Sequence, residues 1–229
     1  MENKFKIKGP IFIGRSFEEY IKMFNLDIQK LDNEKILDCA AGASSFTARM
    51  RKKGYDVTAV DILYNKDPLF LQNRCKEHLS VLVDALADLE DHFVWDFFKN
   101  LDDLKQHRMK SCHEFYEDYK NNKSRYINSD LLNLPFKDNS FSLVLCSHLL
   151  FIYDHRLSYD FHLKSIIEML RIVNEEIRIY PLVKHKSKKS EFVERIEDDL
   201  GKKANIIIEK VDYEFRKGGN EMMKIIKHD

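Results

Sequence analysis

Apolar positions along this chain alternate between two rhythms. Short, nearly continuous apolar runs begin at Ile36 and recur at residues 56–62, 125–130, 141–146 and 176–183. The run at 141–146 alternates poorly, as a strand covered on both faces should. Between the runs, apolar residues return at three- and four-residue steps. Phe17, Tyr20, Ile21 and Phe24 share one helical face behind Ser16 and Glu19, a capping-box pair. Within residues 65–123, Leu79, Leu82, Val83 and Leu86, then Phe93, Phe97, Phe98, Leu101 and Leu104, predict two or three amphipathic helices. Asp67 and Pro68 suit a cap and first helical residue. Further helices are expected at 159–172 and 190–200, the second ending at Gly201. The tail predicts strands at 204–213 and 221–227 around Lys217, Gly218, Gly219 and Asn220, a hairpin signal. Pro181 suits a strand end rather than its middle.

This order predicts one domain over residues 1–229: a doubly wound, mostly parallel α/β sheet with helices on both faces. The segment 65–123 reads as a helical insertion, a lid beside the carboxyl edge of the sheet, where ligands of such sheets bind. The aromatics there, Trp95 among them, either line an acceptor pocket or form the lid's own small core. No internal repeat, low-complexity tract or interdomain linker interrupts the pattern.

Residues 36–50 carry the chemistry. An apolar run passes through Asp38, Ala40, Ala41, Gly42, Ala43, Ser44 and Ser45 into a helical pattern, the strand–turn–helix opening of a nucleotide-binding unit. Asp38, at the strand's end, can accept hydrogen bonds from an ammonium group or from loop amides. The small residues let a ligand approach the backbone, and Gly42 takes a positive φ at little cost. Ser44 or Ser45 can cap the helix. The next strand ends in Asp61 and Ile62, where an acid can grip a ribose diol.

The Asp38-x-Ala40-x-Gly42-x-Ser44 turn and Asp61 resemble the first two motifs of class I S-adenosylmethionine-dependent methyltransferases. Residues 130–147, with Asp130, Leu134, Pro135, Phe136, Asp138, Ser140 and Phe141, look like that family's adenine-side loop and fourth strand. The resemblance spans about Glu34 to Phe151. It implies a Rossmann-like seven-stranded sheet with an antiparallel edge hairpin, and S-adenosyl-L-methionine as cofactor. It implies Asp38, Ala40 and Gly42 at the cofactor's amino-acid end, Asp61 and Ile62 at the ribose, Asp130 and Leu131 at the adenine, and Ser147 at the methyl corner. The family has Gly where this chain has Ala40, and often where it has Ser44. A leading helix often covers the cofactor in this family. By that resemblance Arg15 reaches the cofactor carboxylate and Tyr20 walls the pocket; the alternatives are a solvated cation and a core residue. His148 follows Ser147 and is the first candidate catalytic residue, a base or an orienting group for the acceptor, with Tyr153, Asp154 and His155 further candidates in the same loop. His148 can equally cap the next helix or bond a carbonyl.

Composition adds boundaries. Lys plus Arg and Asp plus Glu balance at 38 each, so no overall field favours nucleic acid or an anionic membrane. No run approaches the roughly 20 apolar residues of a membrane span, and residues 1–9 lack a signal-peptide core. Cys39, Cys75, Cys112 and Cys146 show no C-x-x-C spacing, which argues against a zinc site and for a reducing, cytoplasmic setting. No metal is expected. The basic run from Lys184 to Lys189 either attracts an acidic substrate or is a solvated loop. The function expected is methyl transfer to a small-molecule acceptor. The alternatives are a non-catalytic S-adenosylmethionine-binding module and an NAD-dependent dehydrogenase. The dehydrogenase is disfavoured because pyrophosphate wants more glycine than residues 40–44 offer.

Overall fold

The computed structural model describes residues 10–87, 89–184 and 187–228. In it, the apolar runs become one seven-stranded sheet. The strands are β1 (Lys35–Cys39), β2 (Asp56–Asp61), β3 (Tyr126–Asn128), β4 (Phe141–Ser147), β5 (Val173–Tyr180), β6 (Ala204–Lys210) and β7 (Glu221–Lys227). Their order is β3-β2-β1-β4-β5-β7-β6. The first five are parallel, and β7 runs antiparallel to both neighbours. The expected edge hairpin is therefore present, with β6 outermost and the last strand inside it. β4 is buried along its whole length, which is why it lacks polar alternation. From β1 the chain first builds outward to β2 and β3, then crosses back to β4. This reversal opens a crevice at the carboxyl ends of β1 and β4, the switch point where doubly wound sheets place ligands.

Helices cover both faces. α1 (Phe17–Met23) opens with the predicted capping box, the Ser16 side chain accepting from Glu19 N while Glu19 accepts from Ser16 N. α2 (Phe46–Lys52) follows the 40–45 turn. α3 (Pro68–Leu86) starts where Asp67 caps Leu69 and Phe70. α4 (Leu101–Asn121), α5 (Tyr159–Ile172) and α6 (Phe192–Leu200) complete the set. α5 passes into β5 with no intervening turn, because Val173 already lies in the strand.

The segment 65–123 differs from the helical periodicity read in its middle. Residues 93–100 are not α-helical. Asn100 caps the amide of Asp103 and the Asp103 carboxylate takes Lys99 N, so α4 begins only at Leu101. Phe93 bridges to Arg216, and Val94 N donates to Phe215 O at 2.7 Å. This stretch thus lies against the β6–β7 loop, its rings packed with Tyr213 and Phe215. α3 and α4 pack on each other, and α4 also packs on α2.

The leading segment lies flush on α4. A Cβ at Gly14 would stand 2.7 Å from both Arg108 O and Cys112 N, so only glycine fits the approach. All four cysteines are free and buried. Among the described residues no helix is long and apolar enough to cross a membrane, and no group of three His, Cys, Asp or Glu side chains is placed to hold a metal ion. Residues 1–9 lie outside the described residues, as do His185 and Lys186 of the basic run.

Candidate functional site

The crevice is lined first by the turn after β1. Ala40 and Gly42 both hold left-handed backbone, φ 52° and 57°. At Ala40 this costs on the order of 1–2 kcal/mol that glycine would not, so the glycine-type geometry survives the alanine. Ala41 N donates to Val60 O at 3.1 Å, stitching the turn to β2. Ser44 rather than Ser45 supplies the local cap, its Oγ accepting from Phe46 N at 3.0 Å. Ser45 Oγ accepts instead from Phe17 N at 3.2 Å and so ties α1 to the turn.

Three carboxylates stand at the ends of β1, β2 and β3. Asp38 is fully buried. Its Oδ1 accepts from Tyr20 OH at 3.0 Å, while Oδ2 has no hydrogen-bond partner among the described residues. Burial with this thin solvation pushes the carboxyl up to about 8; the Tyr20 hydroxyl opposes the rise and the Asp61 charge adds to it. Asp61 is half-buried. Its Oδ2 accepts from Gly42 N at 3.1 Å and its Oδ1 from Leu63 N at 2.9 Å. Burial still raises it to about 6 against those bonds. Ile62 beside it is 60 % exposed, an apolar side chain open to solvent at the crevice. Asp130 is exposed and accepts from Leu132 N at 2.9 Å, and Leu131 is buried.

A second group gathers on the other side of β1. Arg15 and Tyr20 come from the leading segment, Ser147 and His148 from the end of β4, Tyr180 from β5, and Tyr213 from the β6–β7 loop. Tyr20 is buried, stacked on Phe46 at 4.7 Å as well as bonded to Asp38, so it serves core and crevice together. His148 has φ 56°, its N donates to Tyr180 O at 2.7 Å, and its Nδ1 lies 2.8 Å from Ser147 Oγ. Such a backbone in a non-glycine residue is a held conformation of the kind found at functional sites. Burial first, then the Arg15, Arg108 and Arg216 charges, push the imidazole well below its ordinary range. It is therefore neutral near pH 7.

Three contributors were not read from sequence. Tyr64 OH donates to Gly42 O at 2.7 Å and braces the turn. Arg108 of α4 is buried and pairs with the buried Glu19, donating also to Gly14 O at 3.0 Å. Burial alone would raise Glu19, but the neighbouring Arg108 and Arg15 hold it below the usual carboxylate range. Tyr213 OH donates to the same carboxylate. A signal existed for Arg108, since it interrupts the apolar stripe Leu104, Cys112, Phe115 and Tyr119 of α4.

The strand order, the left-handed turn after β1 and the acid closing β2 define a class of protein, and the comparisons agree. A family model described as "Methyltransferase domain" matches residues 102–176, and the chain belongs to the class I S-adenosylmethionine-dependent methyltransferases, enzymes that use S-adenosylmethionine as methyl donor. It is 42% identical over 220 residues to "Uncharacterized protein MJ0045" of Methanocaldococcus jannaschii, covering 96% of this chain and 97% of that one. Among solved structures it is similar to the PH0226 protein of Pyrococcus horikoshii OT3, with TM-score 0.50, 13% identity and coverage of 93% and 91%. That likeness is one of fold. Magnesium protoporphyrin IX methyltransferase (ChlM) from Synechocystis PCC 6803, with bound SAM, aligns at TM-score 0.45 and 12% identity over 88% of this chain and 79% of that one.

Proposed function

We propose that this protein transfers a methyl group from S-adenosylmethionine to a small-molecule acceptor. The observation that carries the reading is Asp38, a fully buried carboxyl with one oxygen unpartnered, beside the left-handed Ala40–Gly42 turn. A carboxylate this poorly solvated wants a nearby cation, and the cofactor brings two, an ammonium and a sulfonium. Asp61, fixed to Gly42 N, keeps free lone pairs for the two hydroxyls of a ribose. Ile62 offers an apolar face beside it, and Asp130 and Leu131 stand at the adenine end. These residues fit the group.

When bound, the cofactor supplies an already activated methyl group, so the protein's task is alignment. Ser147 and His148 at the end of β4 face the acceptor side. A neutral imidazole there can hold or receive the acceptor's proton, and the Ser147 hydroxyl fixes its orientation. The aromatic segment 93–98 against Tyr213 and Phe215 walls that side, which favours a small molecule over a polymer.

Calorimetric titration with S-adenosylmethionine, S-adenosylhomocysteine and NAD tests the reading. Micromolar binding of the first two and none of NAD is expected. Absence of binding by all three would remove the cofactor assignment. Binding without methyl transfer to any acceptor panel would move the non-catalytic module forward.

A further inference from the structure

Among the described residues, the groups around Glu19 do not balance. Two guanidiniums, Arg15 and Arg108, face this one buried carboxylate, which leaves one positive charge in excess. Three of the carboxylate's hydrogen-bond sites are already taken. Oε2 takes Ser16 N and Arg108, and Oε1 takes Tyr213 OH. Arg15 stands 3.8 Å from Oε1, beyond hydrogen-bond reach. Among the described residues its guanidinium donates no hydrogen bond, although its side chain is only 17% exposed. A planar fork of five donors, mostly withdrawn from water and unspent, is costly unless an acceptor joins it.

Direction separates this fork from the cofactor residues. Arg15 lies among Glu19, Arg108, Tyr213 and Tyr153, whereas the groups bearing on Asp38 are Tyr20, Asp61 and Thr47. Tyr213 comes from the β6–β7 loop and packs edge-on to Tyr180 at 5.9 Å. Tyr180 in turn lies 5.3 Å from the His148 ring. Arg15 therefore opens toward the ends of β4 and β5, away from β2 and β3. Arg216 adds a third cation on that side, its guanidinium over the Phe93 ring at 5.1 Å.

We infer that the methyl acceptor carries an oxyanion, a carboxylate or a phosphate, that is bound by Arg15 at the β4–β5 side of the crevice. The inference rests on the methyltransferase reading above and deepens it. Arg is suited to this because its fork matches the two oxygens of such a group, which Lys cannot. The anion balances the excess charge and brings the acceptor's reactive atom to the His148 corner.

The test titrates the full chain, saturated with S-adenosylhomocysteine, with acetate, with inorganic phosphate, and with acetamide as the neutral counterpart of acetate. Calorimetry and the Arg Nε–H resonances report binding. The expected result is saturable millimolar binding of acetate or phosphate, with the stronger arm naming the oxyanion, and none of acetamide. Arg15→Gln should weaken the anion by about tenfold or more, and Arg15→Lys, which keeps the charge, by less. Both variants should bind S-adenosylhomocysteine within about threefold of wild type, which also shows that they fold. Three results overturn the inference: no saturable anion binding by wild type, equal anion binding by Arg15→Gln, or a tenfold loss of S-adenosylhomocysteine in both variants. The last would assign Arg15 to the cofactor carboxylate instead. Repeating the anion titration without S-adenosylhomocysteine separates failure of this site from failure of the cofactor reading.

Discussion

Cofactor binding should expel a proton, and Asp38 should supply most of it. In the free protein its carboxyl titrates at about 8, so at pH 7 about 0.9 of the molecules carry its proton. A cation placed nearby favours the ionised form and lowers that value. If binding brings it to about 5 or below, about 0.9 proton leaves at pH 7. Binding is then tighter to the deprotonated protein, so affinity rises with pH until it levels off near 8. Between pH 6 and 8 the gain is about 50-fold, or about 2.3 kcal/mol. Asp61, raised to about 6, adds only about 0.1 proton at pH 7. Calorimetry of S-adenosylmethionine in buffers of different ionisation enthalpy measures the proton count directly. In Asp38→Asn the count should fall to about 0.1 and the pH slope above 6.5 should flatten. Equal proton release by wild type and Asp38→Asn would refute the argument, as would no release by wild type.

The same carboxyl affects the free protein's stability. Its folded pKa lies above the unfolded one, so its stabilising contribution is full below about 4 and is lost as pH rises toward 8; Asp38→Asn should remove that part of the fall in Tm. Asp61→Ala should weaken S-adenosylhomocysteine binding by about 1–3 kcal/mol, and unchanged affinity would take Asp61 out of the site. Glu19→Gln leaves Arg108 buried without its counter-ion and should destabilise the fold by about 3–5 kcal/mol in denaturant titration; a loss under about 1 kcal/mol would mean the pair is solvated. His148→Ala should slow transfer while sparing S-adenosylhomocysteine affinity, and equal loss of both would make the residue structural. Because burial, and then the arginine charges around it, hold His148 neutral, the transfer rate should show no inflection of its own near pH 6.5.

What could be read from sequence was what is local or periodic. The Asp38 to Ser44 spacing encodes a turn whose geometry follows from a few residues, and the uninterrupted run of β4 announces burial on both faces. The Ser16–Glu19 box and the Asp67 cap were legible for the same reason. Periodicity misled at Phe93, Phe97 and Phe98. Their three-to-five residue spacing fits a helix, yet an irregular strand of aromatics lying on a distant loop produces the same spacing. Asn100, a good cap, marked the true helix start. The Glu19–Arg108 pair was hidden because its partners lie 89 residues apart, and no local rule joins them. Two or three helices were expected within residues 65–123 and two form, α3 and α4; that α4 would pack on α2 and residues 89–100 would meet the β6–β7 loop was not legible.

The contact at Gly14 has a mechanical consequence. Because the backbone there rests directly on α4, and Arg108 of α4 grips both Gly14 O and Glu19, the leading segment and α4 cannot slide past each other. They form one stiff plate, riveted at a point where no side chain fits. Any hinge that admits a ligand must then lie outside this plate, in the joints that flank it, and a single methyl group added at residue 14 would act as a wedge between its two halves.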